Sequence, residues 1–532
     1  MQLELVSHLR PEVVAALKQI PPKLKLCGPL RILFLSDGIS FAPGVGFGLN
    51  LVKELLDQTT LGWVDFKVDT ANYSPGMLNA TLLNKYHQVW FFGIGGGNGA
   101  LSTDEQKALL KWMDERQGGV FATGDHDTLG AALGRNIPRA GTMRRWTVAQ
   151  NVPSGGGPTR IDTNRPQNAL QEAPTYNTIP NNAETDTTPQ PIRWVAWMKI
   201  GGFFGWKSPH PILCHATHGP IDIMPDHPHE GRCFDTAPGK FEVDISSAQE
   251  YPTKNGNRPL PQVIAYGRPL PSPPYQFAKG EHDVNDWFPM ISVYDGQQIG
   301  IGRVVVDSTW HHWMNLNIQN IKTAGEAVGA SNEARAKWEK IRQYYINIAR
   351  WLATTSQRRC MAKLLVLSSH FAYAGYQEFN PKASIAELGA ALSAHLQPAM
   401  GLCWVRSFVL DLVWELDRDL FEIVRREFLV ETVPPSRRPP QPEPDPCLSC
   451  PSWEVFESHV LGGIVQASMK MIGPARRKLD EDGALKLDFT EAAEDKMLLE
   501  GARIGVAAFE AALNRDLKAM KPMLSALKGA IR

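Results

Sequence analysis

Short apolar runs alternate with stretches of helical spacing through the first half of the chain. The apolar runs span residues 31–37, 64–68, 88–93 and 119–123, and turns or segments of helical period separate them. Unbroken apolar runs of this length are typical of strands that are buried on both faces of a parallel sheet. The alternation predicts an α/β fold built on a flavodoxin-like, doubly wound sheet.

From about residue 324 the pattern changes to that of helices. Apolar residues recur every three or four positions, as at Trp338, Ile341 and Tyr345, and similar stripes continue to residue 527. Residues 434–451 are too rich in proline for a helix and predict an extended linker. The second half is therefore predicted to be an all-α domain in two parts.

One segment of the first half shows no period. Residues 147–191 are dominated by Gly, Pro, Asn and Thr, and a loop this long inside a compact domain is either a lid over a site or a disordered insertion. The pattern leaves both interpretations open. The predicted organisation has five parts: a lead-in at 1–27, an α/β domain at 28–323 that carries this loop, a helical region at 324–433, the linker at 434–451, and C-terminal helices at 452–532.

Composition narrows the class of protein. The 532 residues are 43% apolar and carry a formal net charge of zero, which predicts several domains and argues against nucleic-acid binding through a basic surface. The first 17 residues lack the apolar core of a signal peptide, and no apolar run is long enough to cross a bilayer. Seven scattered cysteines, an odd number, predict no disulfide framework. We therefore expect a cytoplasmic protein with no nucleic-acid or membrane partner.

Histidines and acids collect in three groups, each close to an expected strand end. The groups are residues 124–127, 225–230 and 310–313. Imidazole and carboxylate groups bind divalent metals and transfer protons near neutral pH. Together at the carboxyl edge of the sheet, where such folds bind ligands, the three groups would form a site. The candidate catalytic residues are Asp125, His126, Glu230, His311 and His312.

The group at 225–230 carries the candidate metal ligands. His227 and His229 flank Pro228, which favours extended backbone, so both imidazoles can face the same side. Together with Asp226 they are the candidate ligands of a divalent cation, zinc or a similar metal. The group matches no standard zinc spacing, and the alternative is a polar loop whose histidines hydrogen-bond to the backbone.

A glycine-rich loop follows the third apolar run. It contains Gly95, Gly96, Gly97 and Asn98, but it lacks the Gly-Lys-Ser/Thr ending of a P-loop. We expect the backbone of these residues to approach a small-molecule substrate closely, with amides placed to bind an oxyanion.

The opening strand at 31–37, the strand and glycine loop at 89–99 and the strand-turn at 119–127 resemble the class I glutamine amidotransferase-like fold, and within it the ThuA-like group. The His-Pro-Ile-Leu element at 210–213 and the hairpin at 289–312, which ends in histidine, are similar to elements of that group. The resemblance covers roughly residues 28–320. It implies carbohydrate-linked metabolism, although an analogy of fold says little about chemistry.

Two departures from that family matter for function. The strand-to-helix elbow at 122–126 has no cysteine to act as a nucleophile, and His311 lacks a glutamate two residues later. Glutamine hydrolysis is therefore not expected. One hypothesis is an enzyme, such as a metal-assisted hydrolase or isomerase, that acts on a small sugar- or amide-like substrate by acid–base chemistry. The other is a catalytically degenerate module that binds a ligand or a protein and is coupled to the helical half, which also offers a surface for self-association.

Overall fold

The computed structural model describes most of the chain. It describes residues 28–61, 64–96, 101–125, 128–146, 189–201, 206–225, 231–234, 249–267, 287–372, 383–429, 452–482 and 491–530. Several predicted features lie outside these residues: the lead-in at 1–27, nearly all of the loop at 147–191, the linker at 434–451, and the site candidates Gly97, Asn98, His126, Asp226, His227, His229 and Glu230.

A large mixed sheet is the centre of the fold. The strands are β1 (Leu30–Ser36), β2 (Thr60–Leu61), β3 (Val64–Asn72), β4 (Gln88–Phe92), β5 (Gly119–Thr123), β6 (Gln190–Trp194), β7 (Met198–Gly201), β8 (Trp206–Ser208), β9 (Cys214–His215), β10 (Gly219–Pro220), β11 (Ile223–Met224), β12 (Gln262–Gly267), β13 (Phe288–Tyr294) and β14 (Val304–Asp307). Ten of them form one sheet in the order β11-β6-β12-β13-β14-β5-β4-β1-β3-β2. The strands β3, β1, β4, β5 and β14 are parallel, and β14, β13, β12, β6 and β11 pair antiparallel.

Helices follow the parallel strands and dominate after residue 314. They are α1 (Asn50–Asp57), α2 (Ala80–Leu83), α3 (Thr103–Arg116), α4 (Ala131–Gly134), α5 (Asn315–Glu326), α6 (Asn332–Trp351), α7 (Thr355–Ala372), α8 (Ile385–Met400), α9 (Leu402–Leu416), α10 (Arg418–Phe428), α11 (Trp453–Asp482) and α12 (Glu491–Ala530). None of the described helices combines the length and the apolarity that a membrane span needs.

The apolar runs of the sequence are the central strands. Every residue of β4 and β5 is buried, and in β1 only Arg31 is exposed. Burial on both faces is what an unbroken apolar strand requires, because alternate side chains point to opposite faces of the sheet. The predicted α/β class and the helical second half are confirmed.

Helices cover both faces of the sheet. On one face, Trp112 of α3 belongs to a core cluster with residues of β4 and β5. On the other face, Phe121 of β5 contacts Trp313, and the Trp313 ring also contacts Tyr344 of α6. The second core cluster continues as far as Ala502 of α12. The helical half therefore packs on the sheet through a continuous hydrophobic core.

A glycine permits the close contact between the sheet and α6. A Cβ atom at Gly119, the first residue of β5, would lie 2.2 Å from the carbonyl oxygen of Leu352, which follows α6. Nearby, the buried Gln88 side chain donates to the Ala349 carbonyl and accepts a hydrogen bond from the Trp90 indole. Backbone and side-chain contacts thus fix the register between the sheet and this helix.

A disulfide ties the helical half to the small two-stranded sheet formed by β9 and β10. Cys214 on β9 is bonded to Cys403 on α9, with Cα atoms 6.3 Å apart, and Cys360 is also disulfide-bonded. The expectation of no disulfides is therefore wrong. The number and spacing of cysteines do not reveal pairs that folding brings together across 189 residues. Disulfides persist mainly in oxidising compartments, and the expected cytoplasmic location stays a prediction.

Candidate functional site

The parallel strands end together at one edge of the sheet. β1, β4, β5 and β14 pair in register so that their last residues are neighbours. The residues directly after these strands are therefore close in space. They include Asp37, Gly95, Asp125 and His311. Ligands of open α/β sheets bind outside this carboxyl edge, which makes it the candidate site.

Asp125 and His311 meet at this edge. Asp125 is fully buried and follows β5, and one of its carboxylate oxygens, Oδ2, lies 3.5 Å from Nε2 of His311. The other oxygen accepts a hydrogen bond from the Thr309 hydroxyl at 2.7 Å. The opposite ring nitrogen of His311, Nδ1, is 3.0 Å from Oδ1 of Asn317 on α5. An amide oxygen only accepts hydrogen bonds, so Nδ1 carries a proton, and a second proton on Nε2 would lie between the imidazole and the carboxylate.

Local structure holds the His311 ring in place. The turn Trp310–His312 is a short 3-10 helix, and the Thr309 hydroxyl caps it by accepting from the His311 amide at 3.1 Å. The Trp310 amide donates to the carbonyl of Gly124 at 2.7 Å, which joins the turn to the end of β5. The His311 ring stacks on the Trp310 ring at a centroid distance of 5.0 Å. The hydroxyl-capped turn therefore presents the imidazole to Asp125.

His312 belongs to a different polar network. It is fully buried, and its Nδ1 is 2.7 Å from Oδ1 of Asp307. The other Asp307 oxygen accepts from the Trp313 indole at 3.2 Å and from the Tyr344 hydroxyl at 2.8 Å. Burial, reinforced by Asp307, raises the pKa of Tyr344 well above its usual value, so this hydroxyl remains a donor. The network joins β14 to α6, and a catalytic role for His312 stays a prediction.

The described glycines of the loop after β4 contact the protein itself. The amides of Ile94 and Gly95 donate to the Asp37 carboxylate, at 2.5 and 3.1 Å. A Cβ atom at Gly96 would lie 3.0 Å from the hydroxyl of Thr128. The Gly95 amide is therefore committed to Asp37, and the substrate-binding role of Gly95 and Gly96 stays a prediction.

A buried arginine underlies the site. The Arg144 guanidinium donates to the carbonyls of Asp125, Arg145 and Ser308, and it lies 4.5 Å from the centroid of the Trp146 ring. It thus clamps the segments that follow β5 and β14. In the sequence, Arg144 stands beside Arg145 and Trp146 in a segment that holds other arginines, and nothing in that pattern distinguishes it as part of a site.

The predicted metal ligands Asp226, His227 and His229 lie outside the described residues, but the residue before them can be located. The carbonyl of Pro225 is 3.4 Å from the Gln190 side chain, whose nitrogen is also 3.5 Å from Nε2 of His312. Pro225, the last described residue before this group, therefore lies close to the polar network at the end of β14.

Neither the protein-family models nor the curated proteins nor the solved structures include a match to this chain. The resemblance to amidotransferase-like proteins thus stays a prediction.

Proposed function

We propose that the chain is an enzyme that acts on a small polar, sugar- or amide-like substrate by acid–base chemistry. The observation that carries this proposal is the array Asn317–His311–Asp125, built where β5 and β14 end. Paired groups of this kind hold a proton and transfer it, which is the requirement for general acid–base catalysis. His311 is the proposed acid–base residue, and Asn317 is its positioning residue.

Two features support the proposal. The parallel strands follow the order β3-β1-β4-β5-β14, which is the 2-1-3-4-5 order expected of a flavodoxin-like winding. Arg144 places a buried positive charge against the backbone of Asp125, in surroundings of low polarity where electrostatic effects are strong. Metal binding by Asp226, His227 and His229 stays a proposal from the sequence.

The second candidate is a catalytically degenerate module that binds a ligand or protein. The burial of Asp125 and His311, of which 0% and 3% are exposed, favours it, because a catalytic pair must meet its substrate. In this case the Asp125–His311 pair would stabilise the fold and the helical half would carry the interaction.

A test need not know the substrate in advance. Purified protein is incubated with an extract of small polar metabolites, and consumption and product formation are followed by liquid chromatography and mass spectrometry. The His311→Gln variant is compared with the wild type and with His395→Gln, a matched change on α8. We expect turnover in the wild type and in the control, and a loss of about 100-fold or more in His311→Gln, since acid–base groups contribute about 10²–10⁴-fold.

The outcome that contradicts the enzyme hypothesis is equal turnover in His311→Gln and the wild type. A metabolite that the wild type and both variants retain on ultrafiltration without conversion supports the binding module. Circular dichroism and thermal midpoints of both variants verify that His311→Gln is folded.

A further inference from the structure

Two histidines of the β9–β10 hairpin lie beside a glutamate of α6. His215, His218 and Glu339 each offer a ligand atom, and these atoms all lie within 4.8 Å of one another. Nε2 of His218 is hydrogen-bonded to Oε2 of Glu339, and the two imidazole rings are 4.6 Å apart. All three side chains are half-buried and thus accessible to solvent on one side. None of them belongs to the site at the carboxyl edge.

The hairpin that carries the histidines is firmly held. Cys214, directly before His215, is tied to α9 by its disulfide. The buried Asn347 side chain, two turns along α6 from Glu339, donates to the carbonyls of Ile212 and Cys214 at 3.0 and 2.8 Å. The hairpin and the helix that carry the three ligands are therefore joined to each other by side-chain hydrogen bonds.

The cluster has one acidic ligand and two cationic neighbours, Lys340 and Arg342. The charge of Lys340 is offset by Asp222, which lies 2.8 Å from its ammonium group. The Glu339 carboxylate has His218 as its partner, and that contact requires a proton on Nε2 of the imidazole. A divalent ion placed between the two groups replaces this proton and supplies more positive charge.

We propose that His215, His218 and Glu339 form a binding site for a divalent transition-metal ion such as Zn²⁺. Two imidazoles and one carboxylate are a ligand set of borderline softness, which suits zinc and its neighbours rather than Ca²⁺ or Mg²⁺. Three protein ligands leave a coordination position for water or an exogenous ligand. The site is independent of the proposed acid–base chemistry at His311.

The hydrogen bonds of His215 fix the position of its ring proton. Its Nδ1 accepts from the amides of His218 and Thr217, at 3.0 and 3.2 Å, so the proton of the neutral ring is on Nε2. Binding of an ion to Nε2 requires that proton to move to Nδ1, which loses the two hydrogen bonds from the amides and gains the Thr217 hydroxyl, 3.3 Å away, as an acceptor. In the same way, binding through Nε2 of His218 moves the proton of that nitrogen to Nδ1 when the ring is neutral, and releases it to solvent when the ring is doubly protonated. Thr217 is thus a positioning residue for the site.

The test compares matched variants of the full chain with Zn²⁺ and Co²⁺ as probes. Glu339→Gln removes the carboxylate ligand, and Glu333→Gln makes the same change on the same helix, where the carboxylate pairs with Lys337. Zinc binding is measured by equilibrium dialysis with elemental mass spectrometry and by competition with a chromogenic chelator. We expect Glu339→Gln and His218→Asn to lose one equivalent of tight zinc, with affinity at least 10-fold lower, since even outer partners of a metal site contribute about 10–100-fold.

Two further readouts sharpen the result. Thr217→Val, which keeps the shape but not the acceptor, is expected to weaken zinc binding about 10-fold or more. The visible absorption of Co²⁺ should change with Glu339→Gln and not with Glu333→Gln, which reports direct ligation. Equal zinc affinity and stoichiometry in Glu339→Gln, His218→Asn and Glu333→Gln would overturn the proposal. Any zinc bound elsewhere in the chain is common to all variants and cancels in the comparison.

Discussion

Removing the Cys214–Cys403 disulfide should strongly destabilise the fold. The bond closes a loop of 189 residues between β9 and α9. In the chain-entropy treatment, a cross-link stabilises by about T(2.1 + 1.5R ln n), because it restricts the unfolded chain. With n of 189 this amounts to about 5 kcal/mol at 25 °C, an upper value because measured disulfides often contribute less.

The assay is urea unfolding followed by tryptophan fluorescence, in the absence of reductant, on four proteins. These are the wild type, Cys214→Ala, Cys403→Ala and the double variant. Either single change breaks the bond, so each single variant should lose most of the stabilisation. The double variant should lose little more, because the cross-link is already absent. The slope of the unfolding free energy with urea should also rise in the variants, since the unfolded state is then less compact.

The free thiol of Cys233 supplies the control. Cys233→Ala removes a buried sulfur without breaking a disulfide, so its cost measures the burial of the thiol together with its weak hydrogen bonds to the carbonyls of Met290 and Val306. The reasoning would be refuted if Cys214→Ala and Cys403→Ala each lost no more unfolding free energy than Cys233→Ala, and if the loss in the double variant were the sum of the two. Peptide mapping under non-reducing conditions should independently recover the Cys214–Cys403 linked peptide.

Two further predictions concern a buried histidine and a buried glycine. Burial, together with the charge of Arg303, lowers the pKa of His210 to about 3, so acid favours the unfolded chain between the usual pKa of 6.5 and 3. Between pH 7 and pH 4 this pKa difference lowers the free energy of unfolding by about 3 kcal/mol. His210→Asn should remove that pH dependence, and its side chain still offers an acceptor for the Ile212 amide. If the free energy of unfolding falls by the same amount in the wild type and in the variant between pH 7 and pH 4, the prediction for His210 is contradicted. Gly119→Ala should lower the free energy of unfolding by about 1–3 kcal/mol, because the added methyl group clashes with Leu352 after α6. Gly28→Ala, where the added methyl group meets open space, should change the urea midpoint little. Equal urea midpoints for the two variants would be evidence against the tight contact.

Sequence periodicity was sufficient for the parallel half of the sheet because those strands are buried on both faces. The runs at 31–37, 88–93 and 119–123 correspond to β1, β4 and β5 within a residue or so at each end. The antiparallel half was harder to predict. Short strands such as β9, β10 and β11 have two residues each and carry no period of their own.

The candidate site was predictable only in its histidines and acids. His311 and Asp125 stood out because both residue types carry proton-transfer chemistry and both follow apolar runs. Their partners did not stand out, because Thr309 and Asn317 are common residues whose role comes from position alone. The metal cluster shows the same limit: the spacing of His215 and His218 is visible in the sequence, but Glu339 is 121 residues from His218 and joins them only through the fold.

The insertion of β14 next to β5 also bears on how the chain is made. β5 ends at residue 123 and its neighbour β14 begins at residue 304, so 180 residues lie between the two strands. At a ribosomal rate of about 5–20 residues per second, the edge of β5 waits roughly 10–40 s for its partner. During that time a strand of five apolar or small residues presents unpaired amides and carbonyls, which is the condition under which nascent chains aggregate. The edge of β5 is therefore open to association with other chains until β14 pairs with it, and His311, which follows β14, can reach Asp125 only after β14 has been made.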